Sequence, residues 1–65
     1  MLAEFIDTSD FKEIRISVNP EHVTFVMDYG TSTAIHVLGS KRDFFVNEDI
    51  DSVLKKLKLA ALDLT

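Results

Sequence analysis

Between Lys12 and Val18 apolar and polar side chains alternate strictly. Ile14, Ile16 and Val18 fall on one side; Glu13, Arg15 and Ser17 fall on the other. A period of two is the mark of a half-buried β-strand. The same period returns downstream. Val23 to Asp28 sets Val23, Phe25 and Met27 on one side, with Thr24, Val26 and Asp28 opposite. Ser32 to Leu38 separates Thr33, Ile35 and Val37 from Ala34, His36 and Leu38. Arg42 to Val46 turns Phe44 and Val46 inward and Phe45 outward. A shorter apolar run, Ala3 to Asp7, predicts an edge strand. The intervening segments carry turn chemistry: Asp7-Thr8-Ser9-Asp10, Asn19-Pro20-Glu21-His22, Tyr29-Gly30-Thr31 and Gly39-Ser40-Lys41.

After Val46 the period changes. Ile50, Val53, Leu54, Leu57, Ala61 and Leu64 recur at helical spacing and make one apolar stripe. Asp49 is placed to cap the helix N-terminus, and Asp51 suits the positive end of its dipole. The connections between strands are too short for helical crossovers, so neighbours should pair antiparallel. The pattern predicts one α+β domain over residues 1–65. It would be a small antiparallel sheet of four or five short strands followed by one C-terminal amphipathic helix packed on one face.

One helix covers one face of a sheet, yet both faces carry apolar residues. Ile14, Ile16, Val18, Val23, Phe25, Met27, Ile35, Val37, Phe44 and Val46 are expected beneath the helix. Val26, Ala34 and Phe45 are expected on the far face around His36, with Leu38 near its end. Leu59 and Leu62 fall outside the main helix stripe. Fully burying one Val, Leu or Phe side chain stabilises by roughly 1.5–3 kcal/mol, so such a face has reason to seek a partner. The expected interface is therefore Val26, Ala34, His36, Phe45, Leu59 and Leu62. Protonation of His36 near about pH 6.5 is expected to weaken it.

Size and composition sharpen this expectation. A chain of 65 residues without cysteine has neither disulfides nor thiolate metal sites. Small domains of that kind often gain support by oligomerising. The cysteine-free composition fits a reducing compartment. The start, Met-Leu-Ala-Glu-Phe-Ile-Asp, lacks the basic and apolar regions of a signal peptide. The apolar runs are too short to span a bilayer, so no membrane association is expected and the location expected is the cytoplasm. The net charge of −4 argues against nucleic acid. The available cations are Lys41 and Arg42 in a hairpin and Lys55, Lys56 and Lys58 on the helix, interleaved with acids.

Candidate chemistry is sparse. The serines lack a nucleophile-elbow context, and Gly30 and Gly39 build no phosphate-cradling loop. His22 and His36 have no paired ligand spacing, so no metal or other cofactor is expected. The acids Glu48, Asp49 and Asp51 open the helix, where carboxylates belong without catalysis. The chain is not expected to be an enzyme.

Two resemblances can be read. Val18-Asn19-Pro20-Glu21-His22-Val23, a threonine-containing strand ending at Gly39, and Phe44-Phe45-Val46-Asn47-Glu48-Asp49-Ile50-Asp51-Ser52-Val53-Leu54-Lys55-Lys56-Leu57 together resemble the FlbD-like family of small flagellar proteins, over residues 12–58. Asp49 stands where that family usually has serine. Membership would imply a small non-enzymatic protein. The run from His22 to Leu57 is also similar to the first half of LytTR-type DNA-binding domains, but their later Arg-x-His-Arg-Ser element has no counterpart here. The functional expectation is a non-enzymatic regulatory or assembly protein that self-associates through protein–protein contacts. The alternative is a nucleic-acid-binding or host-protein-inhibiting accessory protein, of phage type, using Lys41, Arg42, Lys55, Lys56 and Lys58.

Overall fold

The computed structural model describes residues 1–62. Five strands are followed by one helix: β1 (Ala3–Asp7), β2 (Ile14–Val18), β3 (Val23–Asp28), β4 (Thr33–Val37), β5 (Phe44–Val46) and α1 (Ile50–Leu62). A single 3-10 turn, Pro20–His22, lies between β2 and β3. The α+β architecture read from the periodicity is the one observed, with every neighbouring pair antiparallel.

The strand order is β2-β1-β5-β4-β3. Ala3–Asp7 is therefore an inner strand, not the edge its short run suggested; the edges are β2 and β3. The outermost strands are consecutive in sequence and joined only by Asn19–His22. Four antiparallel steps make them run parallel to each other. Ile14, Asp7, Val46, Thr33 and Asp28 lie on one rung across the sheet. In a flat sheet Val18 and Val23 would then be roughly 35 Å apart, given strand rise and spacing. The link between them reaches about 17 Å at full extension. The sheet must therefore coil. Four interstrand twists of about 20–25° swing its edges toward perpendicular and bring the far end of β2 to the start of β3. Asn19 shapes the corner: its Oδ1 accepts the Glu21 N–H at 3.0 Å, and Pro20 opens the turn with its φ already set.

The concave side of the coiled sheet holds the core. Ala3, Phe5, Val18, Ile35 and Val46 pack there against Val53, Leu57 and Ala60 of α1, with Ile16, Val23, Val26 and Val37 around them. Asp49 caps α1 as expected, its Oδ1 accepting the Ser52 N–H at 2.8 Å. Thr33, fully buried, donates from Oγ1 to the Glu48 carbonyl at 2.8 Å and ties β4 to the helix start. The apolar stripe differs from the expected one in two places. Leu54 is 46% exposed and Ala60 is buried instead. Leu64 lies outside the described residues.

The largest departure is in β3. Its register with β4 jumps between Val23↔Val37 and Phe25↔His36, so Thr24 is an extra residue, a β-bulge. One inserted residue reverses which face every later side chain takes. Val26, expected outside, pairs with Ile35 and packs on the core. Phe25 and Met27, expected inside, stand on the convex face beside His36 and Ala34. Phe25 is 47% exposed.

The shifted register gives opposite outcomes for adjacent residues. Val26→Asp should cost about 3 kcal/mol or more by burying an unpaired charge, much of a small domain's stability. Phe25→Asp should stay within about 1 kcal/mol of the parent. Urea denaturation of both variants checks this, and equal losses would reject the bulge.

Candidate protein-interaction surface

The convex face of β3, β4 and β5 carries a connected strip of aromatic and apolar side chains. Cross-strand partners share a face, so the strip can be followed along the pairing. Phe25 lies opposite His36, Met27 opposite Ala34, and Ala34 opposite Phe45. The Phe25 ring stacks on His36 with centroids 4.7 Å apart and planes 4° from parallel. Tyr29, from the turn after β3, tilts against Phe45 at 5.8 Å. His36 is held from its other side by Asp43, Nδ1 to Oδ1 at 2.7 Å. The backbone beneath Phe25, Met27 and Phe45 is a strand ladder. The strip is open: Phe25, Tyr29 and Phe45 are 47%, 57% and 36% exposed.

Of the residues expected to form an interface, Phe45 and His36 belong to this strip. Val26 does not, because the bulge turns it inward. Ala34 faces the right way but is fully covered, roofed by its own neighbours, so it offers no contact area. Leu59 and Leu62 are exposed on the helix, at 54% and 59%. Being on α1, beneath the concave side, they are not part of the strip. Phe25, Met27 and Tyr29 were missed. The aromatic character of Phe25 and Tyr29 was visible in the sequence; the face of Phe25 depended on the bulge. Phe11 was missed as well. It is completely exposed and holds a positive φ of 60° in the β1–β2 loop.

The cations expected to read nucleic acid are dispersed or engaged. Arg42 Nη1 donates to Ser9 Oγ and Asp10 Oδ2, both at 3.1 Å, and Nη2 lies 3.5 Å from Asp7 Oδ2. Its guanidinium also sits 5.6 Å over the Phe44 ring. Lys56 Nζ pairs with Glu48 Oε2 at 2.8 Å and covers the Phe5 ring at 5.1 Å. Lys41, Lys55 and Lys58 make no ion pair among the described residues, but they lie on two separate elements. Among the described residues these five cations therefore do not gather on one element.

The electrostatics that matter are structural. Asp7 is 2% exposed at the end of β1. Burial raises its pKa. Hydrogen bonds to Oδ1 from Ser9 Oγ at 2.8 Å, from the Ser9 N–H at 3.2 Å and from the Phe45 N–H at 3.2 Å lower it, as does the Arg42 charge. The balance holds the carboxyl below its ordinary value. Glu48 is likewise lowered: burial raises it, but Lys56 and Ser52 outweigh that by hydrogen bonding. Among the described residues no group of three His, Cys, Asp or Glu side chains converges as a metal site would require. An open groove of about 460 Å³ is lined by Glu4, Phe5, Ile6, Thr8, Glu13, Arg15, Asn47, Glu48 and Lys56. No helix among the described residues is long and apolar enough to cross a membrane.

Compared with protein-family models, curated proteins and solved structures, the chain matches none.

Asp7 supplies a prediction about pH. A carboxyl with a depressed folded pKa contributes its full stabilisation above the unfolded pKa, about 3.9, and loses it as pH falls through the folded value. Asp7→Ala should cost about 2–3 kcal/mol near neutrality, since the Ser9 and Phe45 donors and Arg42 lose their acceptor. Asp7→Asn should cost less and should flatten the fall of thermal midpoint below about pH 4. Thermal melts of the three proteins from neutral to acid pH measure both effects. A parallel acid limb in Asp7→Asn would remove Asp7 from the account.

Proposed function

We propose that this chain is a non-enzymatic regulatory or assembly protein that works by binding proteins, another copy of itself included. The observation that carries the reading is the strip of aromatic and apolar side chains, Phe25, Met27, Tyr29 and Phe45, on the convex face. Scattered exposed apolar side chains are ordinary; a connected patch is what marks an interaction surface. Aromatic side chains are also the residues that contribute most when buried between proteins. Self-association is supported by size, since 65 residues without a disulfide leave a small core that gains from a second chain. A cytoplasmic location fits the same cysteine-free composition.

The dispersed cations and the net charge of −4 leave nucleic-acid binding as the weaker alternative.

The strip variant Phe25→Asp/Phe45→Asp tests the reading. Phe25 is 47% and Phe45 36% exposed, and circular dichroism of the variant separates a loss of binding from a loss of fold. Proteins retained from an extract of the source cells by the immobilised parent chain should not be retained by the variant. Identical retention by both would refute the strip as a binding surface.

A further inference from the structure

We infer that two copies of this chain join edge to edge through β2, forming one continuous antiparallel sheet across a two-fold axis at Ile16. This rests on the self-association proposed above and names the surface responsible for it.

The two edges of the sheet are unequal. The β3 edge is interrupted by the bulge at Thr24, a device that spoils pairing with another chain. The β2 edge has no bulge and no proline from Ile14 to Val18, and pairs with β1 at every position from Ile14 to Val18. Among the described residues, no backbone hydrogen bond other than that ladder reaches these residues. Their outward N–H and C=O groups form a template for another strand.

The sequence of β2 is compatible with itself in one register. Two-fold pairing must match face to face, or the apolar set of one copy meets the polar set of the other. Centring on Arg15 opposes two guanidinium groups. Centring on Ile14, or on Ser17 or Val18, uses fewer strand residues. Centring on Ile16 engages the whole strand: Ile14 opposite Val18, Arg15 opposite Ser17, and Ile16 opposite its own copy. No like charges face each other. Ser17 is already paired with Glu4 on β1, so Arg15 of the second copy would be aligned with Glu4 across the small serine. Arg15 and Glu4 now make only an exposed contact at 3.3 Å, with side chains 81% and 67% exposed. A row of alternating Glu4 and Arg15 from the two copies would replace it. This charge complementarity identifies the occupant as a second copy.

The apolar side of the edge fits as well. Ile14 is 42% exposed at the concave rim. Beside β2 runs an open groove of about 450 Å³ lined by Leu2, Ile16, Val18, Val37 and Phe44. The second strand would lay Ile14, Ile16 and Val18 along this groove.

The test uses the absence of native cysteine from the chain. Residues opposite their own copies across the axis have Cβ atoms about 4.5–5.5 Å apart, close enough for a disulfide after a small adjustment. Ile16→Cys should therefore cross-link at least about tenfold faster than Phe25→Cys under mild oxidation, with sedimentation equilibrium giving a dimer for the parent. Arg15→Glu changes only an exposed side chain. It should weaken dimerisation about tenfold, because the change enters twice. Glu4→Arg/Arg15→Glu should restore it. A dimer that ignores Arg15→Glu, or an Ile16→Cys variant that cross-links no faster than Phe25→Cys, overturns the β2 seam while leaving self-association standing. A parent that stays monomeric at high micromolar concentration overturns both.

Discussion

The short link Asn19–His22 is the constraint from which the rest of the molecule follows. It joins the two outermost strands of a five-stranded sheet, and those strands run parallel. No flat arrangement allows so few residues to make that connection. The sheet coils, its concave side closes over Phe5, Ile35 and Val46, and α1 fills the remaining opening with Val53, Leu57 and Ala60. The core is assembled from both ends of the chain, with Ala3 and Ala60 in the same cluster. The convex side is left without cover because α1 packs on the other.

Much of this was legible in the alternation. The strands, the turns with Gly30 and Gly39 at positive φ, and the Asp49 cap follow from local chemistry, because each depends on residues close in sequence. Strand order was not legible. That Ala3–Asp7 sits between β2 and β5 depends on long-range pairing, which hydrophobic period does not encode. The bulge at Thr24 was also hidden. Phe25-Val26-Met27 is a run of three apolar residues, so a period of two could not decide which of them faces the core. That single residue exchanged Val26 for Phe25 as an exposed side chain. The difference between the expected and observed faces of Val26 and Phe25 is therefore one of register. Ala34 shows a second limit: facing outward is not the same as being reachable, since its larger cross-strand neighbours cover it.

Charge in this protein serves architecture before recognition. Arg42 spans Asp7, Ser9 and Asp10, and so binds the β1–β2 loop to the approach of β5. Lys56 closes over Phe5 while paired with Glu48 at the helix start. Both cations are thus committed to neighbours, while the convex face exposes Phe25, Tyr29 and Phe45. The two edges divide along the same lines: β3 is blunted where it borders the aromatic strip, while β2, on the opposite rim, is left open.

The junction of β1 with β5 has a kinetic meaning. The hairpins β1–β2 and β3–β4 can each close over a short loop, an event of microseconds. The Asp7↔Val46 rung joins residues 39 positions apart in the chain (46 − 7). Its entropy cost falls due before any core contact rewards it, so high contact order should set the pace of folding. Until that rung closes, the two hairpins are separate ribbons tethered at Asn19–His22, with the facing flanks of β1 and β5 unpaired. The nascent protein is then most exposed to mispairing, and an exchange of hairpins between two chains would satisfy the same rung.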